Sequence, residues 1–76
     1  MIGPTAELPV DTMLAEIEAR TQRRIRGLIG DFHLLLQDRG LVLSGRAHTY
    51  YAKQLAQHAV MEATDLPILA NDIEVS

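Results

Sequence analysis

Four arginines stand within seven residues, at Arg20, Arg23, Arg24 and Arg26, with no acid among them. A guanidinium holds phosphate or carboxylate oxygens in a bidentate fork, so this cluster is where the residue types best suit an anion. Arg46 and Lys53 extend the patch if the fold brings them near. Against a lipid surface each basic residue contributes on the order of 1 kcal/mol. The plain alternative is a helix C-terminus dressed with cations, which the helix dipole favours.

Other chemistry is harder to assemble. His33, His48 and His58 are far apart and lack the paired spacing of a metal site, so no metal ligand is nominated. No carboxylate pair has catalytic spacing, and no serine has a base that the sequence identifies. The chain is therefore read as a non-enzyme without a cofactor. Gly27-Leu28-Ile29-Gly30 fits the G-x-x-G with which KH domains clamp a nucleic-acid backbone. Its inner positions are apolar, however, and a strand pattern follows where a KH domain needs a helix. Nucleic acid is the lesser reading.

Composition sets the limits. A chain of 76 residues is one domain, and one this short buries only about 60–65% of its unfolded surface. It has no cysteine, so no disulfide framework supports it. A hydrophobic content of 47% suits a folded domain, and a net charge of −3 argues against nonspecific nucleic-acid binding by the whole surface. MIGPTAELPVD lacks the basic start and apolar centre of a secretory signal. The apolar run Leu34–Leu36 is far too short to cross a membrane. The default expectation is a cytoplasmic chain, or a periplasmic or envelope-associated one if a leader has been trimmed. The charges are blocked: residues 1–18 carry four acids and no base, and the last fifteen carry Glu62, Asp65, Asp72 and Glu74 with no base.

The elements that must position these residues follow from period. Residues 1–10, with Gly3, Pro4 and Pro9, read as a flexible tail before a single domain over 11–76. Asp11 or Thr12 is a good N-cap for a first helix. Leu14, Ile17, Thr21, Ile25 and Leu28 form its apolar stripe, and Glu16 and Arg20 are placed to pair at i, i+4. The helix must stop by Gly27, and Leu28-Ile29 reads as a loop or an irregular strand entry.

Phe32–Ala47 reads as a hairpin. A first strand from about Asp31 to Gln37 turns Phe32, Leu34 and Leu36 one way and His33, Leu35 and Gln37 the other. Asp38-Arg39-Gly40 is the turn, with the glycine expected to supply positive φ. The second strand turns Leu41, Leu43, Gly45 and Ala47 inward, and Gly45 there would let a helix backbone approach closely. Thr49 is a natural N-cap for a helix from Tyr50 to about Thr64. Ala52, Leu55, Ala56, Ala59, Val60 and Ala63 share its apolar face. Its opposite face, with Tyr50, Gln54, Gln57, His58 and Met61, is almost uncharged. Leu66-Pro67 breaks the helix, and Ile68–Val75 is the last strand, with Ile73 and Val75 in phase.

The predicted order is α-β-β-α-β. It makes an α/β (α+β) domain, a three-stranded mixed sheet with two helices packed on one face. Strands joined through a helix should be parallel with a right-handed crossover. The first strand is antiparallel to both if it lies between them. The uncovered sheet face carries Leu35 and Val42. Together with Tyr50, Gln54 and Met61 they are the candidates for a protein interface or self-association, possible in a small domain with uncharged surfaces.

The stretch from about Phe32 to Val75 resembles the BON domain of bacterial osmotic-stress and envelope proteins. The resemblance rests on the alternating strand, Asp38 in the turn, Leu41, Leu43-Ser44-Gly45, Ala47, Thr49, and then Leu69, Asn71, Ile73 and Val75. It covers a little over half the chain, and the preceding helix has the family's position. Tyr50–Gln57 also resembles a run in a bacterial subgroup. Where the family often has a glycine before its last strand, this chain has Asp65-Leu66-Pro67. The resemblance implies an α/β sandwich and a non-catalytic binding role, proposed for many members to lie at phospholipid surfaces.

Overall fold

Apolar side chains three and four apart bury one stripe of the first helix. α1 spans Val10–Ile25, and Ile17, Thr21 and Ile25 are its buried residues. The computed structural model describes residues 10–76, so the expected flexible tail lies outside the described residues except for Val10, which opens α1. Asp11 and Thr12 therefore sit in the first turn and do not cap it. An acid at Asp11 still suits the positive end of the helix. The chain leaves α1 through Arg26 and Gly27, with φ of 48° and 80°. Leu28 lies past the helix end and is exposed, so the stripe closes at Ile25. Glu16 and Arg20 do not close into an ion pair; among the described residues the one pair is Arg24 with Glu62.

Thr21 is fully buried, and its Oγ1 has no hydrogen-bond partner. An unpaired buried hydroxyl costs about 1–3 kcal/mol of desolvation. Thr21→Val keeps the shape, removes the orphan and changes helix propensity little. The expected gain is about 1 kcal/mol, a rise of roughly 4–8 °C in melting temperature for a domain of this size. Thermal unfolding followed by circular dichroism checks this; a lower melting temperature would show that the hydroxyl is satisfied.

β1 spans Ile29–Gln37 and β2 spans Gly40–Ala47. β1 begins two residues earlier than the alternation predicts, because Ile29 already pairs with Ala47. Its entry is irregular, as expected: the register shifts between Gly30 and His33, where Asp31 has φ 51°. At the other end a two-residue loop, Asp38-Arg39, joins Gln37 to its pair Gly40. Positive φ falls on Asp38 (49°) and Arg39 (67°), and not on Gly40 as the turn signal suggested. Positive φ at both central residues is the type I′ form of the two-residue hairpin loop, whose twist matches that of the strands. Gly40 has a different role, because the Leu69 side chain occupies the space where a Cβ would sit.

α2 spans Tyr50–Ala63 and β3 spans Ile68–Val75. Thr49 caps α2 as predicted, its hydroxyl accepting from the Ala52 N–H at 3.0 Å. The sheet order is β1-β2-β3, with β1 antiparallel and β3 parallel to β2. β2 is thus the central strand, and β1 lies at an edge, not between the other two. Phe32, Leu34, Leu41, Leu43, Ala47 and Ile73 from the sheet meet Ile17 and Ile25 of α1 and Ala52, Ala56, Ala59 and Val60 of α2 in one core. The opposite face carries exposed His33, Leu35, Gln37, Ser44 and Arg46.

Gly45 is on the inner face, but its close neighbour is β1 and not a helix. A Cβ there would stand 2.7 Å from Ile29 Cγ2 and 2.9 Å from the Gly30 carbonyl oxygen. The irregular entry of β1 presses onto this point of β2.

Candidate functional site

The arginine cluster occupies the last turns of α1 and the residues just beyond. Arg20, Arg23, Arg24 and Arg26 are all exposed. Arg20, Arg23 and Arg24 fall at i, i+3 and i+4 and so share one side of the helix. Arg20 and Arg24 line a cleft of about 190 Å³ against Ala59, Glu62 and Ala63 of α2. Arg24 is paired there with Glu62, both side chains more than half exposed. Such surface pairs contribute about 0–1 kcal/mol, so Glu62 mainly offsets one charge of the cluster. Arg20, Arg23 and Arg26 have no ion-pair partner among the described residues.

The fold does not bring the other two cations to this ridge. Arg46 lies on the outer sheet face, opposite Gly30 and Glu74 in the strand register. It shares a depression with Asp31, Asp72 and Glu74, so its surroundings are acidic. Lys53 lies nine positions before Glu62, about half a turn round α2. That puts it on the β3 flank, where its carbonyl accepts from Asn71 Nδ2 at 3.2 Å. Sequence spacing could not separate these residues, because it does not say which face of the sheet a cation joins.

The interface candidates fall on two surfaces. On α2, Tyr50 and Met61 are exposed, at 64% and 56%. Gln54 is half-buried and donates to the Tyr50 hydroxyl. Gln57 is also half-buried, since its Oε1 accepts from Asn71 Nδ2 at 3.2 Å. Met61 and Gln57 border a groove closed by Leu66, Pro67 and Ile68. On the outer sheet face Leu35 pairs with Val42, and Val42 with Ala70, in one row across all three strands.

Leu69 joins this row unannounced by the pattern. Simple alternation puts Leu69 in phase with Asn71 and Ile73, which turn inward. The register of β2 and β3 shifts between Leu41 and Val42, so Leu69 is an extra residue and its side chain lies over Gly40. No local signal marks that bulge.

On each edge strand of the sheet one backbone N–H is bonded by a polar side chain. Glu18 Oε2 accepts from the Leu34 N–H at 3.0 Å on β1. Asn71 Oδ1 accepts from the Ile73 N–H at 3.2 Å on β3. Unpaired edge groups otherwise template further strand pairing. The period analysis missed Glu18, since its role depends on where α1 crosses β1.

Among the described residues no group of three or more histidines, aspartates or glutamates gathers where a metal ion could be held. Among the described residues, likewise, no helix is long and apolar enough to cross a membrane. Gly27 and Gly30 line a cavity with Asp31, Arg46 and His48. Ile29 between the glycines already belongs to β1, so this loop joins a helix to a strand. No protein-family model, curated protein or solved structure matches the chain.

Proposed function

We propose that this chain is a non-enzymatic, BON-like binding module whose α1 arginines contact an anionic surface, with phospholipid headgroups as the ligand class. The observation that carries the reading is the exposure of all four arginines, three on one side of α1 and Arg26 just past its end, with only Arg24 ion-paired among the described residues. Guanidinium forks on one ridge suit a plane of phosphate groups better than a single enclosed anion.

Co-sedimentation with anionic and neutral vesicles tests the proposal. Binding is expected on anionic vesicles alone and should weaken with salt, because exposed charges are screened within about 10 Å at 0.1 M ionic strength. Replacing Arg20, Arg23 and Arg26 by Gln removes three contacts of about 1 kcal/mol each, a loss of roughly a hundredfold in partitioning. Retained binding in that variant would sink the lipid reading.

A second reading is a protein–protein module, and exposed Leu35 and Leu69 beside Val42 on the uncovered sheet face favour it. Apolar contacts there would be nearly insensitive to salt.

A further inference from the structure

The cleft between the two helices already holds an anion of the protein's own. Arg20 and Arg24 stand one turn apart on α1 and line it together, with Ala59 and Ala63 as the small side chains of the α2 wall. The Glu62 carboxylate reaches in from α2 and bonds Arg24. Glu62 lies in the last turn of α2, where the helix dipole disfavours an acid and where α2 has no base. Its own helix therefore does not stabilise the charge, and Arg24 of the other helix does. Both side chains are more than half exposed, so the pair is weak and open to exchange with an anion from outside. Arg20, one turn earlier, has no ion-pair partner among the described residues.

We propose that Glu62 is the resident anion of this cleft and that the headgroup which displaces it is a phosphomonoester. The assignment rests on the α1 arginines meeting an anionic lipid surface. A phosphodiester offers Arg24 one negative charge, no more than Glu62 already supplies, and Glu62 is tethered beside it. A phosphomonoester carries about −1.5 to −2 charges at neutral pH and three terminal oxygens. It outbids the carboxylate, takes a bidentate fork from Arg24 and leaves an oxygen for Arg20. A surface of diesters is met by Arg20, Arg23 and Arg26 alone, while a surface of monoesters also engages Arg24. Glu62 thus sets which phosphate chemistry the ridge prefers.

The test uses the whole chain and phosphatidylcholine vesicles of two kinds, with phosphatidic acid as the monoester or phosphatidylglycerol as the diester, at matched surface charge. The wild type is expected to partition about fivefold more strongly onto phosphatidic acid, the worth of one basic contact at a lipid surface. Glu62→Gln should raise binding to phosphatidylglycerol by about fivefold, raise binding to phosphatidic acid less, and so narrow the preference to within about twofold. Glu16→Gln is the control for charge alone, since it removes an exposed acid one turn before Arg20 that bonds no arginine. In an Arg24→Gln background, Glu62→Gln should gain no more than Glu16→Gln does, because the gain acts through Arg24. Circular dichroism confirms that each variant is folded, and Glu62→Ala replaces Glu62→Gln if that one is not. Equal wild-type binding to the two vesicles overturns the proposal. So does a Glu62→Gln gain that is the same on both, or that persists without Arg24. In those cases the arginine ridge still binds lipid, whereas a wild type that binds neither vesicle overturns both proposals together.

Discussion

Gly45→Ala should unfold this domain at a much lower temperature than the wild type. The added Cβ would stand 2.7 Å from Ile29 Cγ2 and 2.9 Å from the Gly30 carbonyl oxygen, with Gly45 φ at 151°. Ile29 is itself buried, and the carbonyl belongs to the backbone, so neither can swing aside. Backbone strain of this kind costs about 1–3 kcal/mol, and overpacking a similar amount. A loss of about 2–4 kcal/mol is expected where a domain of this length has only about 4–11 kcal/mol in all. The melting temperature should fall by roughly 10 °C or more. Gly30→Ala is the matched control. Its Cβ meets only the Arg46 carbonyl oxygen, at 3.9 Å, and the change should stay within about 0.5 kcal/mol. Urea and thermal unfolding of the two variants check this. Equal effects would mean that the close approach at Gly45 is not what the glycine serves.

Asn71→Ala should have the next largest effect. The side chain makes three bonds, all at 3.2 Å. Nδ2 donates to the Lys53 carbonyl and to Gln57 Oε1, and Oδ1 accepts from the Ile73 N–H. One residue therefore ties β3 to α2 and satisfies one N–H of the edge strand β3. At about 0.5–1.5 kcal/mol net per bond, and allowing for its partial exposure, the expected loss is about 2–3 kcal/mol. The Ile73 amide should also exchange hydrogen faster, even where global stability is restored by Thr21→Val. Asn71→Asp keeps the bond from Ile73 and loses both donors, so the Ile73 amide should stay protected while the link to α2 weakens. An unchanged exchange rate at Ile73 in Asn71→Ala would remove its role at the edge strand.

Asn71 was singled out in the sequence only through a resemblance, before the bonds that it makes were visible. The same holds for Leu-Ser-Gly, whose glycine takes the pressure of β1's irregular entry. The contacts that Asn71 and Gly45 make come from other elements, far along the chain.

The candidate cations show where local reading ends. Arg20, Arg23 and Arg24 were legible as one ridge because helical spacing alone brings them together. Arg46 and Lys53 could be added to that ridge only by assuming a face for each, and the fold sends one to the acidic end of the sheet and the other to the β3 flank of α2. The facing of Leu69 could not be read from alternation, because one extra residue in β3 reverses it locally.

What the sequence determined by itself is the order of the elements, most of their inward faces, the Thr49 cap and the parallel direction of β2 and β3. Each depends on short-range period, on a side chain bonding a backbone group three residues away, or on the reach of a helical crossover. What only the tertiary structure decided is β2 as the central strand, the irregularities at Gly30–His33 and at Leu69, and the bonds by which Glu18 and Asn71 each satisfy one N–H of an edge strand. Those depend on register between strands and on where helices cross them. Register is set by the sum of many weak contacts across the sheet, and no local stretch of residues carries that sum.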